Sequence, residues 1–158
     1  MSNTYWLLGM QREILADGSD TDERYDLIAT ISQSGRETPP HVHQQYTETE
    51  YVLEGELTIY TDTEVIVIGP GQAYTIAKGQ PHALSATGKG ITKLLTVFSP
   101  AGFSKVIRLA GKRPEDSTRE TTDLSLFNQL SSEIGDVTLG PIGMDLQQYS
   151  GEFFRRPL

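Results

Sequence analysis

An antiparallel β-barrel or β-sandwich is the fold class that this sequence predicts. Three observations carry that expectation. From about residue 5 to residue 100 the chain reads as short β-rich runs, the runs are separated by Gly, Pro, Asp and Thr clusters, and they follow one another too closely to leave room for crossover helices.

Taken in order, strands are expected over 6–15, 25–33, 41–44, 50–53, 56–61, 65–68, 73–77, 82–86 and 91–99. Gly55, Asp62-Thr63-Glu64, Gly69-Pro70-Gly71 and Lys78-Gly79-Gln80-Pro81 punctuate them as turns. Beyond Pro100 a polar segment over 111–121 leads to Leu124, Phe127, Leu130 and Ile134, which recur at helical spacing, with Gly135 placed as C-cap. One short helix makes no core of its own, so it is expected to pack on the outside of the barrel. The chain thus divides into a barrel over 1–110 and an extension over 111–158. The extension holds one or two short helices, the second in the tail that carries Pro141, Gly143, Phe153 and Phe154.

With 158 residues, one domain is the default. Thirteen Lys and Arg against 21 Asp and Glu give a net charge of -8, so there is no diffuse positive field to hold nucleic acid. Cysteine is absent, which removes disulfides, thiolate zinc sites and a cysteine nucleophile and leaves nitrogen and oxygen as metal ligands. Trp6-Leu7-Leu8-Gly9-Met10 is too short for a leader or a membrane span, and a soluble, cytoplasmic protein is the expectation.

All three histidines, His41, His43 and His82, fall in one part of the chain. On an extended strand His41 and His43 share a face, which makes a natural chelate. Glu48 follows after a tight excursion, and His82 opens a later strand. If the sheet closes, all four converge on a site suited to one divalent transition metal, Ni, Mn, Fe, Co or Zn, with positions left for water or substrate. Glu50 has the parity of Glu48. It either points into the barrel, where a buried carboxyl needs a metal, a polar substrate or a proton, or is turned to solvent.

Residues 35–55, GRETPPHVHQQYTETEYVLEG, resemble the first motif of the cupin superfamily, with Gly35, His41, His43, Glu48 and Gly55 at the family's spacing. Residues 71–86, GQAYTIAKGQPHALSA, resemble the second motif through Gly71, Gly79 and His82. Ala77 stands where that motif has Pro, and Ala86 where it has Asn. The resemblance implies a double-stranded β-helix, or jelly roll, and the ligand set His41, His43, Glu48 and His82.

The opening Tyr5-Trp6-Leu7-Leu8-Gly9, the Thr38-Pro39-Pro40-His41-Val42-His43 run and Ser99-Pro100-Ala101-Gly102-Phe103 resemble small quercetin dioxygenase-like cupins. That likeness implies a metal-dependent dioxygenase for a phenolic or enolisable substrate, with O2 as co-substrate and Glu48 as ligand and base. A redox-neutral isomerase, cyclase or lyase with Glu50 as second acid or base, and a non-catalytic binding cupin, are the alternatives. Val52, Leu84 and Phe98 are expected as apolar pocket walls, and Tyr51 and Tyr74, with Tyr46 and Tyr60, as candidate contacts to an aromatic substrate; ordinary core or strand positions are the competing reading. Edge pairing of the N-terminal strand into a homodimer is expected.

Overall fold

In the computed structural model, which describes residues 2–116 and 122–148, the expected first strand is a hairpin. Strands β1 (Thr4–Leu7) and β2 (Met10–Ala16) pair with Leu7 opposite Met10, so Leu8 and Gly9 alone make the turn. Both have positive φ, 54° and 73°, the mirror-image turn whose twist suits a two-residue hairpin. Gly9 was the signal inside that apolar run.

The chain continues through a short helix α1 (Gly18–Thr21), then β3 (Asp26–Gln33), β4 (His41–His43), β5 (Thr47–Glu54), β6 (Leu57–Thr61), β7 (Val65–Ile68), β8 (Ala73–Ile76), β9 (His82–Ala86) and β10 (Ile91–Ser99). Next come helices α2 (Phe103–Ala110) and α3 (Leu124–Glu133), strand β11 (Asp136–Thr138) and a 3-10 turn at Leu146–Gln148. The strands form two antiparallel sheets, β1-β2-β3-β10-β5-β8 and β11-β4-β9-β6-β7. This is the expected all-β jelly roll with a short helical segment behind it.

Inward alternation fills the space between the sheets with two clusters. Val52, Leu57, Ile59, Ile68, Ile76 and Leu94 close one end. Around Leu7, Ile28, Tyr46 and Phe98 a second cluster meets the helices.

Helix α2 lies where the sequence reading placed only the end of the β region. Phe103, Val106, Ile107 and Ala110 are its buried face, spaced i, i+3, i+4 and i+7. Its N-terminus is held by Asp26 of β3. This fully buried carboxylate accepts from Gly102 N at 2.8 Å, Ser104 N at 2.9 Å and Ser104 Oγ at 3.0 Å, opposite the positive end of the helix.

Helix α3 is capped by Asp123, which accepts from Leu126 N, and ends before Gly135 at φ 88°. Of its expected apolar face, Leu130 is buried, Phe127 and Ile134 are half-buried against the same cluster, and Leu124 is exposed. The extension does more than cover the barrel, because β11 pairs with β4 and becomes part of the sheet. Phe153 and Phe154 lie outside the described residues. None of the helices among the described residues is long and apolar enough to cross a membrane.

Candidate metal centre

Three imidazoles come from one sheet and a carboxylate from the sheet that faces it. His41 and His43 flank the fully buried Val42 on β4, and His41 stands in register with His82 at the start of β9. Opposite them is Glu48 on β5. That strand starts at Thr47, three residues before the expected 50–53, so Glu48 is part of the strand and not of the excursion before it. The four side chains bring one ligand atom each within 4.8 Å of one another.

The outer nitrogens of the three rings are already committed. His41 Nδ1 donates to the Pro39 carbonyl at 2.7 Å, His82 Nδ1 to the Gln80 carbonyl at 2.9 Å, and His43 Nδ1 to Asp136 Oδ1 at 2.7 Å. These acceptors place a proton on each Nδ1 and turn every Nε2 toward the same point, as partners behind metal-bound histidines do; His43 Nε2 also donates to Glu48 here, a proton that a metal would displace. Buried His82 Nε2 has no hydrogen-bond partner and faces Glu48 Oε2 at 3.5 Å. Two acceptors facing each other in a buried site fit a cation between them. The donor set, three imidazoles and a carboxylate, fits a divalent transition metal.

Electrostatics sharpen the picture. Burial pulls His43 down, but its hydrogen bonds to Asp136 and to Glu48 Oε2, 2.6 Å from Nε2, outweigh it and raise the imidazole to about 9. Burial, with His82 and His43 beside it, holds His41 well below its ordinary value. For Glu48, burial is overridden by the His43 and His82 side, and its carboxyl stays well below the usual range. Burial pushes Glu50 the other way, well above it, with the Glu48 charge adding to the effect.

Glu50 is 2% exposed and accepts from Thr96 Oγ1 at 2.8 Å. Strand alternation places it inward, close enough to Glu48 for that charge to help hold Glu50 neutral. Of the two orientations open to it, the solvent-facing one is not adopted.

The centre opens into a cavity of about 50 Å³. Of the expected pocket residues, Leu84 and Phe98 line it. Val52 lies in the apolar cluster at the other end, because it sits four residues along β5 from Glu48, the residue of that strand that lines the cavity. Tyr51 points outward and is 39% exposed, so the inward role expected for it fails on strand parity. Tyr74 is half-buried against the far cluster, its hydroxyl accepting from Gln80 Nε2, and is not in the cavity wall. Tyr60 lines a separate crevice. Tyr46 lies stacked under His43 at 4.3 Å and donates to Asp136 Oδ1 at 2.7 Å, which fixes that carboxylate.

Two residues of the site escaped the sequence reading. Asp136 carried no signal, since it follows Gly135 with nothing around it to mark a strand. Arg12 did carry one. Once the Leu8-Gly9 turn is recognised, it falls between Met10 and Ile14 on the core-facing side of β2, and it lines the cavity.

Residues 27–98 match the family model described as a cupin domain. Over that stretch, a little under half of its length, the chain is similar to cupin domains. Its four candidate ligands lie within that match, and Asp136 and Arg12 lie outside it. A stretch of 98 residues is 29% identical to quercetin 2,3-dioxygenase of Bacillus subtilis, covering 62% of this chain and 29% of that one. A 77-residue stretch is 32% identical to the HTH-type transcriptional regulator PuuR of Escherichia coli, covering 49% and 42%. The chain therefore spans less than half the length of either curated relative. Among solved structures, the polyketide cyclase RemF of Streptomyces resistomycificus superposes with a TM-score of 0.54 at 24% identity, over 62% of this chain and 73% of that one. At that identity the likeness is one of fold.

Proposed function

We propose that the protein is a metal-dependent enzyme for a small phenolic or enolisable substrate, with dioxygenation as its reaction and Glu48 as base. One observation carries the reading: the Nε2 atoms of three histidines and the Glu48 carboxylate converge beside a small, largely apolar cavity. A divalent metal held by His41, His43, Glu48 and His82 supplies Lewis acidity to a substrate oxygen and, when redox-active, a partner for O2. Around it Leu84, Phe98, Phe103 and Phe127 exclude water. Glu48 takes the substrate proton, and the neutral Glu50 beside it stabilises the charge that Glu48 carries before that transfer. The sequence similarity to a quercetin dioxygenase supports the oxidative form of the reading. As it stands the cavity is far too small for a flavonol, which favours a smaller substrate.

A redox-neutral reaction, isomerisation or cyclisation through an enolate, is the second reading. It is favoured by the Glu48–Glu50 pair, one carboxyl held charged and its neighbour held neutral in one buried site, which is the split that an acid and a base require.

The test is oxygen consumption by metal-free protein reconstituted separately with Ni, Mn, Fe and Co, offered quercetin and a small β-diketone. Metal-dependent uptake that disappears in Glu48→Ala is the expected result, and His43→Ala and Glu48→Ala should each lower metal stoichiometry sharply. Anaerobic exchange of substrate C–H for deuterium without oxygen uptake selects the redox-neutral reading. Metal binding with neither reaction overturns both.

A further inference from the structure

Arg12 is 8% exposed in the middle of β2, where alternation otherwise buries Met10 and Ile14. A guanidinium has five N–H donors and stays charged. Among the described residues it has one hydrogen bond, from Nη2 to Met10 Sδ at 3.9 Å, a weak acceptor, and its buried Nε has no partner. It forms no ion pair among the described residues. Glu50 and Glu48 attract it only at longer range, and it lies 5.7 Å from the centre of the Phe103 ring.

Burying a charge without a paired, hydrogen-bonded counterion is unfavourable. A second polar orphan faces the same cavity: Ser131 Oγ, on the buried side of α3, also has no partner. Both residues line the space that His41, His43 and Glu48 line.

We propose that Arg12 and Ser131 form an anion subsite in this cavity and that the substrate is a short-chain carboxylate, its carboxylate on the Arg12 fork and its reactive carbon toward Glu48. The inference rests on the cavity being the substrate site of the proposed enzyme. A carboxylate matches the planar, two-pronged guanidinium. Phosphate brings more charge against Glu48 and Asp136, which line the same walls. The remaining wall, including Leu8, Leu84 and Phe127, is apolar and suits a carbon skeleton without further polar groups.

The experiment is calorimetric binding of pyruvate, and of its neutral analogue pyruvamide, to zinc-loaded protein, which reads affinity and not turnover. Pyruvate should bind the wild type at millimolar concentration or better. Arg12→Gln should weaken it by at least about tenfold and Ser131→Ala by less, with zinc stoichiometry unchanged. Pyruvamide should bind weakly to every variant. Should Arg12→Gln fail to fold, Arg12→Lys, which keeps the buried charge and loses the fork, must still weaken pyruvate. Equal pyruvate affinity in wild type and Arg12 variants, no pyruvate binding to wild type, or pyruvamide binding as tightly as pyruvate each overturns the subsite. Pyruvate binding through Arg12 in a protein that turns over nothing leaves the subsite standing and removes the enzymatic reading. Turnover unaffected by Arg12→Gln does the reverse.

Discussion

At one end of the barrel Val52, Leu57, Ile59, Ile68, Ile76 and Leu94 pack on one another with no polar side-chain atom among them, whereas at the other His43, Glu48, Glu50, His82 and Arg12 are buried as deeply. The same strands build both. Along the inward face of β5 the order is Glu48, Glu50, Val52, and along β10 it is Phe98, Thr96, Leu94. Each strand therefore changes from chemistry to packing within two or four residues. A fully buried aliphatic side chain stabilises by roughly 1.5–3 kcal/mol, while a buried polar group left without a partner costs a comparable amount. The apolar end offsets what the open end withholds.

The largest expected effect breaks the apolar end. Ile59→Ala should destabilise by about 4 kcal/mol in urea titration through the cavity it leaves, with zinc affinity unchanged. A parallel loss of zinc affinity would show that the two ends do not separate.

Next is pH. His43 is raised to about 9 in the metal-free fold, above its unfolded value, so the stability it contributes is fully present below about pH 6.5 and is lost as pH rises through 9, roughly 3 kcal/mol in all. Glu50, also raised, acts with the same sign. Metal-free protein should therefore have a falling melting temperature across that window, and His43→Gln should flatten the fall; a melting temperature that rises instead contradicts the pairing.

Asp136→Asn keeps the shape but weakens the acceptor behind His43, and about 10–100-fold lower zinc affinity is expected from competition with a chelator. The smallest change is Thr96→Val, which removes the hydroxyl on Glu50. It should cost about 1 kcal/mol of stability and leave zinc affinity in place, which separates Glu50's support from the ligands' own.

Period-two alternation and turn residues made most of the barrel legible, and β7, β9 and β10 occupy the residues expected of them. Legibility failed where the cause is not local. The 6–15 run hid a hairpin because Leu8, not a residue given to positive φ, shares the turn with Gly9. Helix α2 begins without a side-chain cap of its own, its cap being Asp26 from a distant strand. At the site, the histidines and Glu48 could be read from spacing, since a ligand set on neighbouring strands keeps short, fixed intervals. Tyr51 could not be separated from Val52 until the strand start was known, because a one-residue error in parity exchanges the two faces. Asp136 becomes meaningful only through the β4–β11 pairing.

That pairing joins residues 93 apart. His41, His43, Glu48 and His82 all precede Asp136 in the chain, so the four candidate ligands can be present while one of them still lacks the acceptor that fixes its proton. The set of acceptors behind the three rings is complete only with β11 in place. A chain cut before β11 would keep all four candidate ligands and lose the acceptor behind one of them, since His41 and His82 are held by the Pro39 and Gln80 carbonyls and only His43 by Asp136.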